Sequence, residues 1–257
     1  MGGVDGAFDE AISRIESARK KMGKTWDDIV DHVNWAMKFL PDSVADQVKK
    51  ATQKLGGDYH KADGWLLSEL VERGSPSALR HAAEVWTKEV EAVAGNYATD
   101  LGFGSMPSNN KWKGPAQLAY RSIIDQQTKA LSDFHGELGK LHTTLNDIAD
   151  AVRNFWVAIA GAVLLLAAAL VVCALEVLGI VTAEAAITTA IGGVAVFFGT
   201  TFTAYSMIHS ALDGHKAALD GLLTKFHQDG TWPAAAADIS DASVLDGDNT
   251  SDWEPNL

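Results

Sequence analysis

Apolar residues recur at steps of three and four almost from the start of the chain. Phe8, Ile12, Ile15, Ala18 and Met22 fall on one helical stripe that reaches Gly23. Thr25 and Asp28 read as a capping box opening a second helix, with Trp26, Ile29, Val33, Met37 and Leu40 on its buried face and Pro41 as its stop. Val44, Val48, Ala51 and Leu55 mark a third segment, closed by Gly56 and Gly57. Residues 1–73 thus read as an N-terminal region of short amphipathic helices.

A longer pattern begins at "GSPSALRHAAEVW", where Ser75 is placed to cap and Pro76 to occupy the first helical position. Leu79, Ala83, Trp86, Val90, Val93 and Tyr97 follow as a seam. After a loop rich in Gly, Asn and Pro over 102–114, the seam resumes in Ile124, Leu131, Phe134, Leu138, Leu141, Leu145, Ile148 and Val152, a heptad alternation from Leu131 onward. Two long helices joined by a short loop lie antiparallel, so residues 74–152 are expected to form a helical hairpin closed along that seam.

The pattern then turns wholly apolar. Phe155 to Leu175 and Ala185 to Ile208 carry no charge, and the first of them shows no wet stripe. Each run meets the roughly 20 residues that a helix needs to cross hydrocarbon. Residues 153–212 read as an apolar hairpin, with Glu176 and Glu184 at an acidic tip and Phe155, Trp156 and Tyr205 as interfacial rings at the other end. Ala158, Gly161, Ala162, Ala168 and Ala169 on one run, and Ala190, Gly192, Gly193 and Gly199 on the other, would let the backbones approach closely. With Arg153 and Lys216 beyond the rings, the positive-inside rule leaves the soluble part cytoplasmic. The alternative is the same hairpin buried inside a soluble bundle. The heptad runs on through Phe155 and Ile159, so one rigid helix is expected to join the two hairpins. Residues 213–257 hold a short amphipathic piece (Leu212, Leu219, Leu222, Leu223, Phe226) and an acidic tail with Trp232 and Trp253, expected to be disordered or loosely draped.

Composition sharpens this all-α reading of an elongated antiparallel hairpin or bundle with an apolar two-helix hairpin. No proline falls between Pro115 and Pro233. The net charge of −12 argues against a nucleic-acid partner. Cys173 is a lone apolar cysteine, and the first thirty residues lack the apolar core of a cleaved leader. His135 with His142, and His209 with Asp213, are spaced for a metal but read as solvated or capping groups. No phosphate loop, zinc helix or nucleophile elbow is present, so neither an enzyme nor a cofactor is expected.

The turn between the two seams, Trp112-Lys113-Gly114, followed by Pro115, Ala116 and Tyr120, resembles the WXG-type helical hairpins of bacterial type VII secretion over residues 74–152. Gly114 allows a tight turn, Pro115 pre-sets the first helical dihedral, and the Trp112 ring would close the open end of the seam. The resemblance implies pairing into helical dimers with a like or unlike chain, and contact with secretion machinery or a chaperone. The family's export signal, a Tyr with an acid four residues on after the second helix, is not matched at Tyr205, which His209 follows at that spacing; Tyr59 and Asp63 have the spacing but precede the hairpin. Export with a partner that carries the signal, and no cleaved leader, is the expectation. The expected role is a secretion-associated protein that inserts in a membrane and permeabilises it. The rival is a resident bacterial membrane protein whose helical head recruits a partner.

Overall fold

The computed structural model describes residues 5–106, 112–177, 183–228 and 254–255. The chain is all-α. Its helices are α1 (Gly6–Ala36), α2 (Asp42–Val71), α3 (Pro76–Trp86), α4 (Ala92–Asp100), α5 (Pro115–Glu176) and α6 (Ala183–Gln228), with a π-helical turn, Thr87–Glu91, joining α3 to α4. Among the described residues one pairing of extended backbone occurs, two residues long and antiparallel, β1 (Trp112–Lys113) against β2 (Glu254–Pro255).

Three expected helix breaks are absent. α1 runs through Gly23, and Thr25 is no cap: its hydroxyl donates to the Lys21 carbonyl at 2.9 Å from inside the helix, and the residue is buried. The reason lies in phase. Met22, Thr25, Ile29 and Val33 continue the stripe of Ile15 and Ala18 without a slip, and fully burying one Ile or Val stabilises by about 1.5–3 kcal/mol. A glycine in mid-helix costs only about 1 kcal/mol, so the helix continues. α2 likewise runs through Gly56 and Gly57, and α6 runs past Ile208 without pausing before its amphipathic end. Pro41 does separate α1 from α2, Pro76 does open α3, and α5 is the expected single helix from the turn into the apolar run.

The chain divides into two compact units. Met1–Ser77 and Ile148–Asp213 form the first, so the N-terminal helices and the apolar hairpin share one body; Ala78–Asp147 and Gly214–Leu257 form the second. In the first unit a single apolar cluster joins Ile15, Met22 and Ile29 of α1, Leu55 and Leu66 of α2, Ile159, Leu166 and Leu170 of α5, and Ile187, Val194 and Phe197 of α6. Four helices therefore bury one core.

Candidate functional site: an apolar hairpin and a lateral helical face

α5 and α6 each bury one side and bare the other. On α5, Trp156, Ile159, Val163, Leu166, Leu170 and Cys173 point into the core, whereas Val157, Leu164, Leu165, Val172 and Leu175 are exposed. At about 100° per residue these two sets fall on opposite sides of the helix. The contrast is sharpest between neighbours: Leu165 is 60% exposed and Leu166 is 0% exposed. α6 buries a narrower stripe, Ile187, Ala190, Val194, Phe197, Thr201 and Ala204, and leaves Val196, Phe198, Phe202 and Met207 bare. In the most apolar window, half of α5 and a third of α6 is covered (50% and 33%). Both helices are long and apolar enough to cross a membrane.

The close approach expected of small residues occurs at one pair. A side chain added at Gly193 would meet the Ala169 methyl at 2.5 Å, closer than any real contact, so only glycine fits between these backbones. Gly161, Gly192 and Gly199 have open space instead and set no spacing, because they lie away from the buried stripes.

The expected belt of interfacial rings divides. Phe155 and Trp156 are buried, Trp156 to 2% exposure, and the Trp156 indole N–H donates to the Arg73 carbonyl at 2.8 Å. These rings are core because the end of α2 packs over them; only Tyr205, tilted 4.3 Å from the His209 ring, is exposed as an interfacial ring would be. Glu176 is exposed at the end of α5. The side chain of Glu184 and the link over 178–182 lie outside the described residues.

α1 and α2 grip each other by specific contacts. Trp26 stacks on Tyr59 at 5.5 Å and its ring edge fills the notch over Gly56, where an added Cβ would lie 2.7 Å from Trp26 Cζ2. Gly56, expected to end a helix, is thus a seat for an indole. Arg19 donates to Asp63 at 2.5 and 3.1 Å from a partly buried position. That hydrogen-bonded carboxylate holds the Arg19 guanidinium above its usual pKa, and burial, with Asp63 nearby, pushes the Tyr59 phenol up. Tyr59 and Asp63 are therefore spoken for inside the bundle and are not displayed as an export signal.

In the second unit, contacts between the arms confirm that α3 and α4 run antiparallel to the first half of α5. His142 Nδ1 lies 2.6 Å from the Thr87 hydroxyl and 3.2 Å from the Ala83 carbonyl, His135 packs on Gly95, and Glu91 lies 3.7 Å from His135 Nε2. Neither histidine belongs to a metal cluster among the described residues. At the open end Phe103, which sequence reasoning passed over, is 5% exposed; it meets Tyr120 edge-on at 6.5 Å and the Arg121 guanidinium at 5.5 Å. A single aromatic among the glycines of "GFGSM" was the signal for it. Gly114 has φ of +107°, a left-handed value that favours glycine, immediately before Pro115 opens α5. The side chains of Trp112 and Pro115 lie outside the described residues.

The seam is buried in part, at Ala83 and Ile124 among others. Leu138 is buried and Leu79, Leu131 and Leu145 are half-buried, but Trp86, Val93, Tyr97 and Phe134 are exposed, Tyr97 to 59%. The arms also meet through the neighbouring residues Thr87, His135 and His142, and Ala94 and Ala98 beside the seam are buried. Trp86, Val93, Tyr97, Phe134 and Leu141 each precede one of those residues, and stepping back one residue turns a helix by about 100°. Because the arms are antiparallel, that turn carries both sets to the same lateral side. The π-turn at Thr87–Glu91 inserts an extra residue and shifts the phase of α4 further from the seam. The exposed residues of the seam form an apolar patch on one flank of the hairpin, while Ala83, Ile124 and Leu138 of the same seam are buried.

No known protein family, curated protein or solved structure matches the chain.

Proposed function

We propose that the chain is a type VII secretion-associated, WXG-like protein whose apolar hairpin enters a lipid bilayer over residues 155–208. The bare face of α5 and α6 carries this reading. Val157, Leu164, Leu165, Val172, Phe198 and Phe202 are exposed on helices of bilayer length, and a soluble bundle would set polar side chains there. The Trp112-x-Gly114 turn, with Gly114 in its left-handed conformation between antiparallel arms, supports the secretion link. In lipid the hairpin keeps its backbone hydrogen bonds internal and its Gly193–Ala169 contact intact. Permeabilisation follows from several hairpins associating.

The lateral face of the second unit favours a further role as a recruiting head. Trp86, Tyr97 and Phe134 present an apolar flank suited to another helical hairpin, from a second copy or from an unlike partner. A resident membrane protein would use that flank alone; an effector would use it for export and the apolar hairpin for attack. Fractionation of a producing culture separates the two, since an effector is found in the medium and a resident pellets with the cells' own membranes. Purified protein added to dye-loaded vesicles then tests membrane entry. Release, or firm association in a flotation gradient, supports the proposal, and failure to float in every lipid composition sinks it.

A further inference from the structure

If the apolar hairpin crosses a bilayer, the helices packed along it must go elsewhere. α1 and α2 bury their apolar stripes in the same cluster as α5 and α6, and Trp65 of α2 meets Phe197 of α6 edge-on at 6.2 Å. Their outer sides carry Glu10, Arg14, Lys21, Lys24, Lys49 and Lys54, all exposed. A hairpin inserted with these helices still in place would draw that charge into hydrocarbon, where Asp, Lys and Arg are strongly disfavoured. We propose that α1 and α2 form one detachable cover, which shields the buried side of the hairpin and swings off as a single piece when it enters lipid. The inference rests on the membrane reading above and adds how entry is controlled.

Two features suit α1 and α2 to that movement. Their grip on each other is specific, through the Arg19–Asp63 ion pair and the Trp26 ring seated over Gly56, so they hold together when their shared outer core is lost. Their attachment to the hairpin includes a point near one end, where Arg73 accepts the Trp156 N–H and Gly74, at φ of +72°, packs on Val152. A glycine in that conformation beside the end of α2 is a suitable pivot. Once released, the exposed stripe of Ile15, Met22, Leu55 and Leu66 need not face water, because an amphipathic helix with lysines on its polar side rests in the headgroup region.

The test is a reversible lock. In a Cys173→Ala background, Trp65→Cys and Phe197→Cys are joined through two disulfides by a short bis(methanethiosulfonate) linker, which releases a sulfinate at each coupling and which a reductant cleaves, and flotation with phosphatidylethanolamine and phosphatidylglycerol vesicles is measured before and after cleavage. The expected result is little association while locked and at least tenfold more once cleaved. Equal association in both forms overturns the cover and leaves the membrane reading standing. No association in either form, nor by the parent chain, overturns both. Because the core substitutions carry a folding risk, spin labels at the exposed Leu67→Cys and Phe198→Cys give a second readout. Vesicles should lengthen the short separation seen in buffer by at least a helix diameter, about 10 Å, and an unchanged separation in vesicle-bound protein overturns the cover.

Discussion

Leu165 and Leu166 are adjacent, equally apolar and opposite in exposure, which allows the two environments of the hairpin to be perturbed separately. Leu165→Arg adds a charge to a side chain already 60% exposed, at the midpoint of the uncharged stretch of α5. In water such a change stays within about 0.5 kcal/mol of the parent's unfolding free energy. At the centre of a bilayer-spanning helix an arginine costs about 2.5–3.5 kcal/mol, which at about 1.4 kcal/mol per decade is a roughly 60- to 300-fold loss of partitioning. Leu166→Ala does the converse. It empties a position with no solvent exposure and removes about 2–5 kcal/mol from the folded bundle, while losing under about 1 kcal/mol in lipid. Urea unfolding followed by circular dichroism reads the first quantity and vesicle titration the second. Leu165→Arg partitioning as the parent does would refute the assignment of that face to lipid, and a large loss of solution stability in the same variant would refute its exposure.

Other substitutions probe the parts separately. Gly56→Ala, normally a gain of about 1 kcal/mol in a helix, should instead destabilise by about 1–3 kcal/mol because its methyl strikes the Trp26 ring, whereas Gly57→Ala, with open space, should show the ordinary gain in the same melt. Arg19→Ala leaves Asp63 partly buried without its partner and should cost roughly 1–3 kcal/mol, with Arg19→Lys recovering only part because one ammonium cannot span both carboxylate oxygens. Burial raises the Tyr59 phenol, so its contribution is fully present below the usual phenol range and is lost as pH climbs through the raised value; Tyr59→Phe should flatten the alkaline side of the stability profile. Tyr97→Lys together with Phe134→Glu should leave the far-ultraviolet spectrum unchanged and abolish any self-association seen by light scattering, if the lateral flank takes a second copy.

Some of this architecture was legible in the residues. The apolar periodicity specified an all-α chain, Pro41 marked a helix boundary, Pro76 and Pro115 marked helix starts, and the unbroken heptad into Phe155 foretold that α5 would be one helix. Glycine misled. At 23 and 56 it reads as a stop because its intrinsic helix cost is known locally, whereas the burial that outweighs the cost comes from residues far away in sequence. Periodicity also gives the phase of an apolar stripe without naming its neighbour. Leu138 on the expected stripe is buried, yet Trp86, Tyr97 and Phe134 on it are exposed, beside the Thr87–His142 contact and on either side of the π-turn. The same limit hid the union of the N-terminal helices with the apolar hairpin, since nothing in either pattern says which greasy surface meets which. Trp156 illustrates it: an indole at the end of an apolar run suits an interface, and only the approach of Arg73 makes it core.

The account stands on the bare side of the apolar hairpin meeting lipid. An environment-sensitive fluorophore on Leu165→Cys, in a Cys173→Ala background, measures that contact directly when titrated with vesicles that carry quenchers on their acyl chains and, separately, with aqueous iodide. Blue-shifted emission, quenched by the acyl-chain label and shielded from iodide, is the predicted result. Emission that iodide quenches as well with vesicles as without, and that the lipid-borne label leaves untouched, would contradict it.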